Sequence, residues 1–265
     1  MGFGLGGLAL GSVVTKFIAG IGIFSTFKLL AIAIFVVLLV AAIIIKAPEA
    51  PTAGASKTAA ADDNTHHYTS AEMMKTSRFW IFFLWAIALN SAGLMVINSA
   101  ANISVAYGGS AVLGMIVSLF NGAGRIVAGN NFDRFGRKTS SIVNNIFMII
   151  AGALLIAGGV SHSLILVVIG LIFVGLSYGG TPTITSAYVN KAFGAKYFAT
   201  NFSIANFSLI PAAIIGPIIS AKLLEAAGGK YDSNFRALIV FTLVALALWI
   251  GLNIASKKSD NEDYK

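Results

Sequence analysis

The chain has 265 residues, of which 57% are hydrophobic and only 11% charged, with a net charge of +8. Charge this sparse, against roughly 25% in a soluble domain, excludes an ordinary water-soluble globule and points to a bilayer. The absence of cysteine excludes disulfide frameworks, thiolate metal sites and cysteine nucleophiles.

A membrane-crossing helix needs about 20 mostly apolar residues to cover about 30 Å of hydrocarbon. The first candidate, residues 2–15, is short and glycine-rich. It is not a secretory signal, because its first cation, Lys16, follows the apolar stretch instead of preceding it. The run from Gly2 to Gly7 satisfies the dinucleotide pattern G-x-G-x-x-G. No strand precedes it and no acidic residue stands about twenty positions on. Gly7 and Gly11 read better as a small-xxx-small contact between membrane helices. A second span is expected at 28–46.

Residues 47–78 form the single long connection, rich in Ala, Pro, Thr, Ser and Asp and unable to build a core. His66 and His67 lie in it without a carboxylate constellation, so no metal site is assigned. Its last part, Thr69-Ser70-Ala71-Glu72-Met73-Met74-Lys75, has the pattern of a capped amphipathic helix leading to Phe79 and Trp80 at the interface.

Six further spans are expected at 79–101, 110–129, 141–160, 164–183, 199–221 and 235–255, so that eight spans leave almost no room for a soluble domain. The third carries Asn90 and Asn98 near one face. The fourth carries Ser118, Asn121 and Arg125 at helical spacings of three and four, on one face. Arg125 is the one formal charge well inside an expected span. A charge there costs about 2.5–3.5 kcal/mol on insertion scales and normally faces a wet cavity or a partner. Its guanidinium can present two parallel donors to a substrate carboxylate. The competing reading is a gate residue that snorkels to the nearby surface beside Asp133. Tyr178 and Thr181 share a face of the sixth span, and Ser203 and Asn206 a face of the seventh. Each can contact substrate or bond a neighbouring helix, a bond worth only about 0.6 kcal/mol on average in membranes. Asn144 and Asn145 are expected at the interface.

Between the fourth and fifth spans stands Gly129-Asn130-Asn131-Phe132-Asp133-Arg134-Phe135-Gly136-Arg137-Lys138, a charged turn that fits G-x-x-x-D-R-x-G-R-K. It resembles the loop motif of the major facilitator superfamily of secondary transporters. Asn131 and Phe132 stand where Leu and Ala are frequent. Further stretches are similar to the oxalate/formate antiporter family: the glycine run from Gly2 to Gly7, Glu72 to Trp80, Asn121 to Arg125, Gly175 to Gly180, Ala192 to Asn201, Gly216-Pro217 and Gly229 to Tyr231.

The resemblance implies an all-α membrane protein with a partial major facilitator fold. Residues 1–46 would be the last two helices of an N-terminal half, 47–78 the central linker, 79–256 a six-helix C-terminal half and 257–265 a tail. It implies secondary transport of a small organic anion, monocarboxylate-like or oxalate/formate-like, by exchange through alternating access. The implied substrate contacts are Arg125, Asn121, Asn90, Tyr178 and Asn206, and the implied gate motif is Gly129, Asp133, Arg134, Gly136, Arg137 and Lys138. Asp133 is expected to pair with Arg134, Arg137 or a helix end as a latch. Members that carry oxalate are expected to hold a lysine on the helix matching the seventh span. Residues 205–215 contain no cation, which favours a monocarboxylate. The alternative is a truncated, transport-incompetent fragment or a membrane scaffold.

No enzyme, cofactor, metal or nucleic-acid chemistry is implied. Phosphate-loop and zinc motifs are missing, and the cations follow the loops instead of forming one basic surface. Loops 46–78, 130–140 and 184–198 and tail 256–265 hold 4, 3, 2 and 3 Lys or Arg; the opposite loops hold five. Cations concentrate on the cytoplasmic side. The expectation is a multi-pass protein of the plasma (inner) membrane with both termini cytoplasmic.

Overall fold

The computed structural model describes residues 13–14, 16–44 and 66–262. The expected first span, apart from its last residues, most of the linker and the end of the tail lie outside the described residues. All regular structure among the described residues is helical, in two units.

The first unit contributes helix α1, Ile23–Ile44, 22 residues without a formal charge except Lys28. Gly22 precedes it at φ +79, a left-handed conformation open to glycine. The hydroxyl of Thr26 donates to the Gly22 carbonyl at 2.8 Å, satisfying inside the helix a group that lipid cannot.

The second unit begins with α2, Ser70–Lys75, and its capping box is reciprocal. The Glu72 N–H donates to the Thr69 hydroxyl oxygen at 3.4 Å, and the Thr69 N–H donates to the Glu72 carboxylate at 2.8 Å. Six antiparallel passes follow. Helix α3 is Ser77–Ile97. The short pieces α4, Ala100–Ala106, and α5, Ala111–Gly114, lead into α6, Ile116–Ser161. Then come α7, Leu164–Phe193, α8, Phe198–Asn206, α9, Leu209–Ala226, and α10, Asp232–Glu262.

Among the described residues six helices are long and apolar enough to cross a bilayer, one of them running 51 residues from Ala111 to Ser161. A straight helix of that length would reach about 76 Å, far more than one crossing needs. It is bent back on itself at Gly136, whose φ of 74 and ψ of −178 are non-helical. The Ser140 hydroxyl consequently donates to the Ala128 carbonyl at 3.2 Å, although twelve residues separate them. The charged turn is therefore not the loop expected at 130–140. Helix persists through Asp133 and Arg134, and one glycine carries the reversal.

Other expected spans are also longer in the structure. Helix α7 continues ten residues past the expected end at 183, since a helix may leave hydrocarbon without ending. The seventh span is not a uniform helix. At Ile204–Ile210 the bonding tightens to i→i+3, with Phe207 N–H to Ile204 O at 3.1 Å and Ile210 N–H to Phe207 O at 3.0 Å. The cause is Pro211, which has no N–H to give the Phe207 carbonyl and crowds it sterically.

An aromatic ladder joins α3, α7 and α10. Phe82 stacks on Tyr188 with centroids 4.0 Å apart, and Trp85 meets Trp249 at 5.7 Å.

Candidate functional site

The site is built around the contact between α6 and α7, where glycines remove the side chains that would separate the backbones. A Cβ on Gly124 of α6 would run into the backbone of Leu176. Cβ atoms on Gly175 and Gly179 of α7 would strike the carbonyls of Val117 and Asn121. Gly175 and Gly179 are four residues apart and share one face, the small-xxx-small arrangement by which membrane helices pack without a hydrophobic drive. The other face of α7 meets the second half of α6. Asn144 donates its side-chain N–H to Thr181 Oγ1 at 3.1 Å, and the Ser177 hydroxyl donates to the Asn144 carbonyl at 2.8 Å. Asn144 and Asn145 are 3% and 0% exposed, packed between helices. The second half of α6 begins at the Gly136 bend, which carries both residues two turns into the bundle.

The close seam positions the substrate candidates. Arg125 is half-buried on α6, eleven residues before Gly136, or about 16 Å along the helix. It lines a cavity of ≈ 420 Å³ together with Gly129, Asp133, Pro182, Ser186, Asn190 and Phe202. Tyr178 lies within electrostatic reach of Arg125. Its ring is so close to α3 that a Cβ on Gly93 would sit 2.6 Å from the ring. Asn90 shares the Gly93 face of α3, three residues away. Asn90 and Asn121 are 3% and 8% exposed, and the Oδ1 of each is buried without a hydrogen-bond partner among the described residues. Such an orphan acceptor costs about 1–3 kcal/mol, which marks both amides as candidates for a ligand contact.

The remaining polar residues divide differently. Asn206 is half-buried and ends α8 where Pro211 tightens the helix. Ser203 is exposed and donates to the Ala199 carbonyl at 2.8 Å. Asn98 is exposed and caps α3, and Thr181 belongs to the helix contact with Asn144.

One feature of the site is not evident from helical spacing alone. Pro182 lies inside α7 and lacks an N–H, so the carbonyl of Tyr178, four residues earlier, has no helical donor. The signal was present as a proline in an apolar run; its link to Tyr178 follows only once the run is known to be helical.

The motif residues gather at the bend. Asp133 and Arg134 are exposed, and Asp133 faces the Arg125 cavity. The Arg137 guanidinium lies over the rings of Tyr188 and Trp249, with centroids at 5.6 and 5.8 Å. A Cβ on Gly129 would make only an ordinary 3.6 Å contact with Thr183 Cγ2, so packing does not demand this glycine. At the opposite end of the bundle a cavity of ≈ 370 Å³ is lined by Tyr107, His162, Lys230, Asp232 and Arg236. Burial, and then the nearby Asp232 carboxylate, pushes the Tyr107 hydroxyl above its usual range. His66 approaches the Glu72 carboxylate at 3.8 Å.

This arrangement, six helical passes with a charged Gly136 reversal and a polar seam, coincides with a sequence match. The family model described as Major Facilitator Superfamily matches residues 1–210 and, in an overlapping placement, 88–263. The chain belongs to the major facilitator superfamily. Superfamily members are transporters, not enzymes, and this one is an integral multi-pass protein of secondary membrane transport. Two overlapping placements suit a superfamily whose halves repeat one another. No curated protein matches the chain.

Proposed function

We infer that this superfamily member exchanges a small organic anion across the plasma (inner) membrane, with Arg125 gripping the carboxylate. A monocarboxylate is the preferred substrate class, with formate and oxalate as the nearest alternatives. The observation that carries this reading is the position of Arg125: half-buried, about three turns from the bend, and lining a cavity of ≈ 420 Å³. Arg125 is the one formal charge well inside an expected span, and intramembrane charges serve function by default. None of the other four candidates lines that cavity. Asn121, one turn before Arg125, and Tyr178 offer neutral hydrogen-bonding groups near it. Asn90 stands on the Gly93 face of α3 that meets Tyr178, and Asn206 stands at the tightened turn of the seventh span.

A second reading draws on Asp133, which lines the same cavity. Arg125 and Asp133 would then form a gate that closes one end of the path, with substrate held elsewhere.

Equilibrium binding of formate, oxalate and pyruvate to purified variants separates the two. If Arg125 holds the carboxylate, Arg125→Lys loses the paired geometry and weakens binding by about tenfold, and Arg125→Gln weakens it further. If Arg125 serves the gate, both variants keep substrate affinity and change turnover. Undiminished affinity of Arg125→Gln for the transported anion excludes the first reading.

A further inference from the structure

Beyond the Arg125 path, a second pocket at the bend end of the bundle has a different chemistry. It measures ≈ 430 Å³ and is lined by Arg78, Phe135, Gly136, Arg137, Lys138, Tyr188 and Lys191, among others. It shares no lining residue with the Arg125 cavity. Four of these residues are cations and none is a carboxylate. The four come from three places: the start of α3, the Gly136 bend of α6 and the end of α7. The pocket therefore exists only in the folded bundle and is not one run of basic sequence.

Aromatic faces hold its two arginines. The Arg78 guanidinium lies 4.6 Å from the Tyr68 ring centroid and 5.0 Å from that of Phe193. Arg137 lies over Tyr188 and Trp249. Cation–π attraction to these rings anchors both guanidiniums, whose planar forks match paired oxygens of a phosphate. Lys138 and Lys191 are exposed at the rim.

Exposed aromatic side chains around the pocket indicate how the anion arrives. Trp80, two residues after Arg78, is 50% exposed and donates its indole N–H to the Met74 carbonyl at 2.7 Å. A half-exposed tryptophan with a satisfied N–H marks headgroup level. Phe135, on the pocket wall, is 62% exposed. Cations beside exposed aromatic surface at headgroup depth suit an amphiphile with a phosphate at one end, and basic pockets between membrane helices recognise anionic headgroups.

We propose that the pocket formed by Arg78, Arg137, Lys138 and Lys191 binds a phosphate oxyanion at the membrane interface. An anionic phospholipid and free phosphate both carry that group, and the experiment tells them apart. The purified, delipidated full chain is titrated with phosphatidylglycerol or phosphatidylcholine and examined by native mass spectrometry. One phosphatidylglycerol is retained in preference to phosphatidylcholine, and the double variant Arg78→Gln/Lys191→Gln weakens retention by about tenfold. The control Lys75→Gln/Lys196→Gln removes two cations from the same end of the bundle, outside the pocket, and leaves retention unchanged. Lys138→Gln, at the exposed rim, gives a smaller loss and serves if the double variant does not fold. Phosphatidylglycerol that excess inorganic phosphate fails to displace identifies a lipid site. Inorganic phosphate bound with the same variant dependence, and without lipid preference, identifies a free-phosphate site. Equal retention of both lipids without phosphate binding, or equal loss in pocket and control variants, overturns the proposal.

Discussion

At Gly124 a single added methyl group would meet the backbone of Leu176, whereas at Gly129, five residues on, it would touch only Thr183 Cγ2 at 3.6 Å. The two glycines therefore have opposite sensitivities, although Gly129 is the one in the charged motif. Gly124→Ala forces α6 and α7 apart and should lower thermal stability by about 1–3 kcal/mol, the usual range for overpacking. Gly129→Ala should stay within about 0.5 kcal/mol of the parent. Gly136 is a third case. A Cβ there meets nothing within 4 Å, yet φ of 74 with ψ of −178 lies in a region essentially confined to glycine. Gly136→Ala isolates conformational strain from contact, and its expected cost is about 1–3 kcal/mol. Thermal unfolding of the three variants in detergent checks the order. A neutral Gly124→Ala would mean that the seam opens more readily than its packing implies.

Short elements at the bend end make tests that the long spans do not. The capping box of α2 depends on an ionised Glu72. The backbone N–H and then the hydroxyl of Thr69 hold this carboxyl below its ordinary value of 4.5. A lowered folded-state pKa gives a contribution that is present above the unfolded value and lost as pH falls through the folded one. The protection factors of amides 70–75, taken relative to intrinsic exchange at each pH, should thus be flat from neutral pH down to the ordinary carboxyl range and fall in more acid solution. Glu72→Gln should keep the box, since glutamine also accepts at this position, and abolish that pH dependence. Inside the bundle, the bond from Asn144 to Thr181 can be measured by a double-mutant cycle with Asn144→Ala and Thr181→Ala. The expected coupling is about 0.6 kcal/mol. A cycle near zero would leave Asn144 to act through Ser177 alone.

For the whole molecule, the legible features were the local ones. Apolar length announced the spans, and Thr69 with Glu72 announced the capped start of α2 because its partners are three residues apart. The meeting of Gly175 and Gly179 with Val117 and Asn121 joins residues more than fifty positions apart, and no local pattern encodes it. The burial of Asn144 was hidden because its depth depends on where the helix reverses. Cation counts carry one further expectation about the whole molecule, its direction in the membrane. Three passes separate Arg134, at the bend, from Lys230, between α9 and α10, so the two must face opposite sides. Both are exposed, and the chain has no native cysteine to confuse a label. In intact cells a membrane-impermeant maleimide should react with Lys230→Cys and not with Arg134→Cys, and permeabilisation should open the second site. Labelling of both from one side would contradict the three-pass connection itself. Labelling of Arg134→Cys alone would preserve that connection and reverse the orientation that the twelve-to-five cation excess favours.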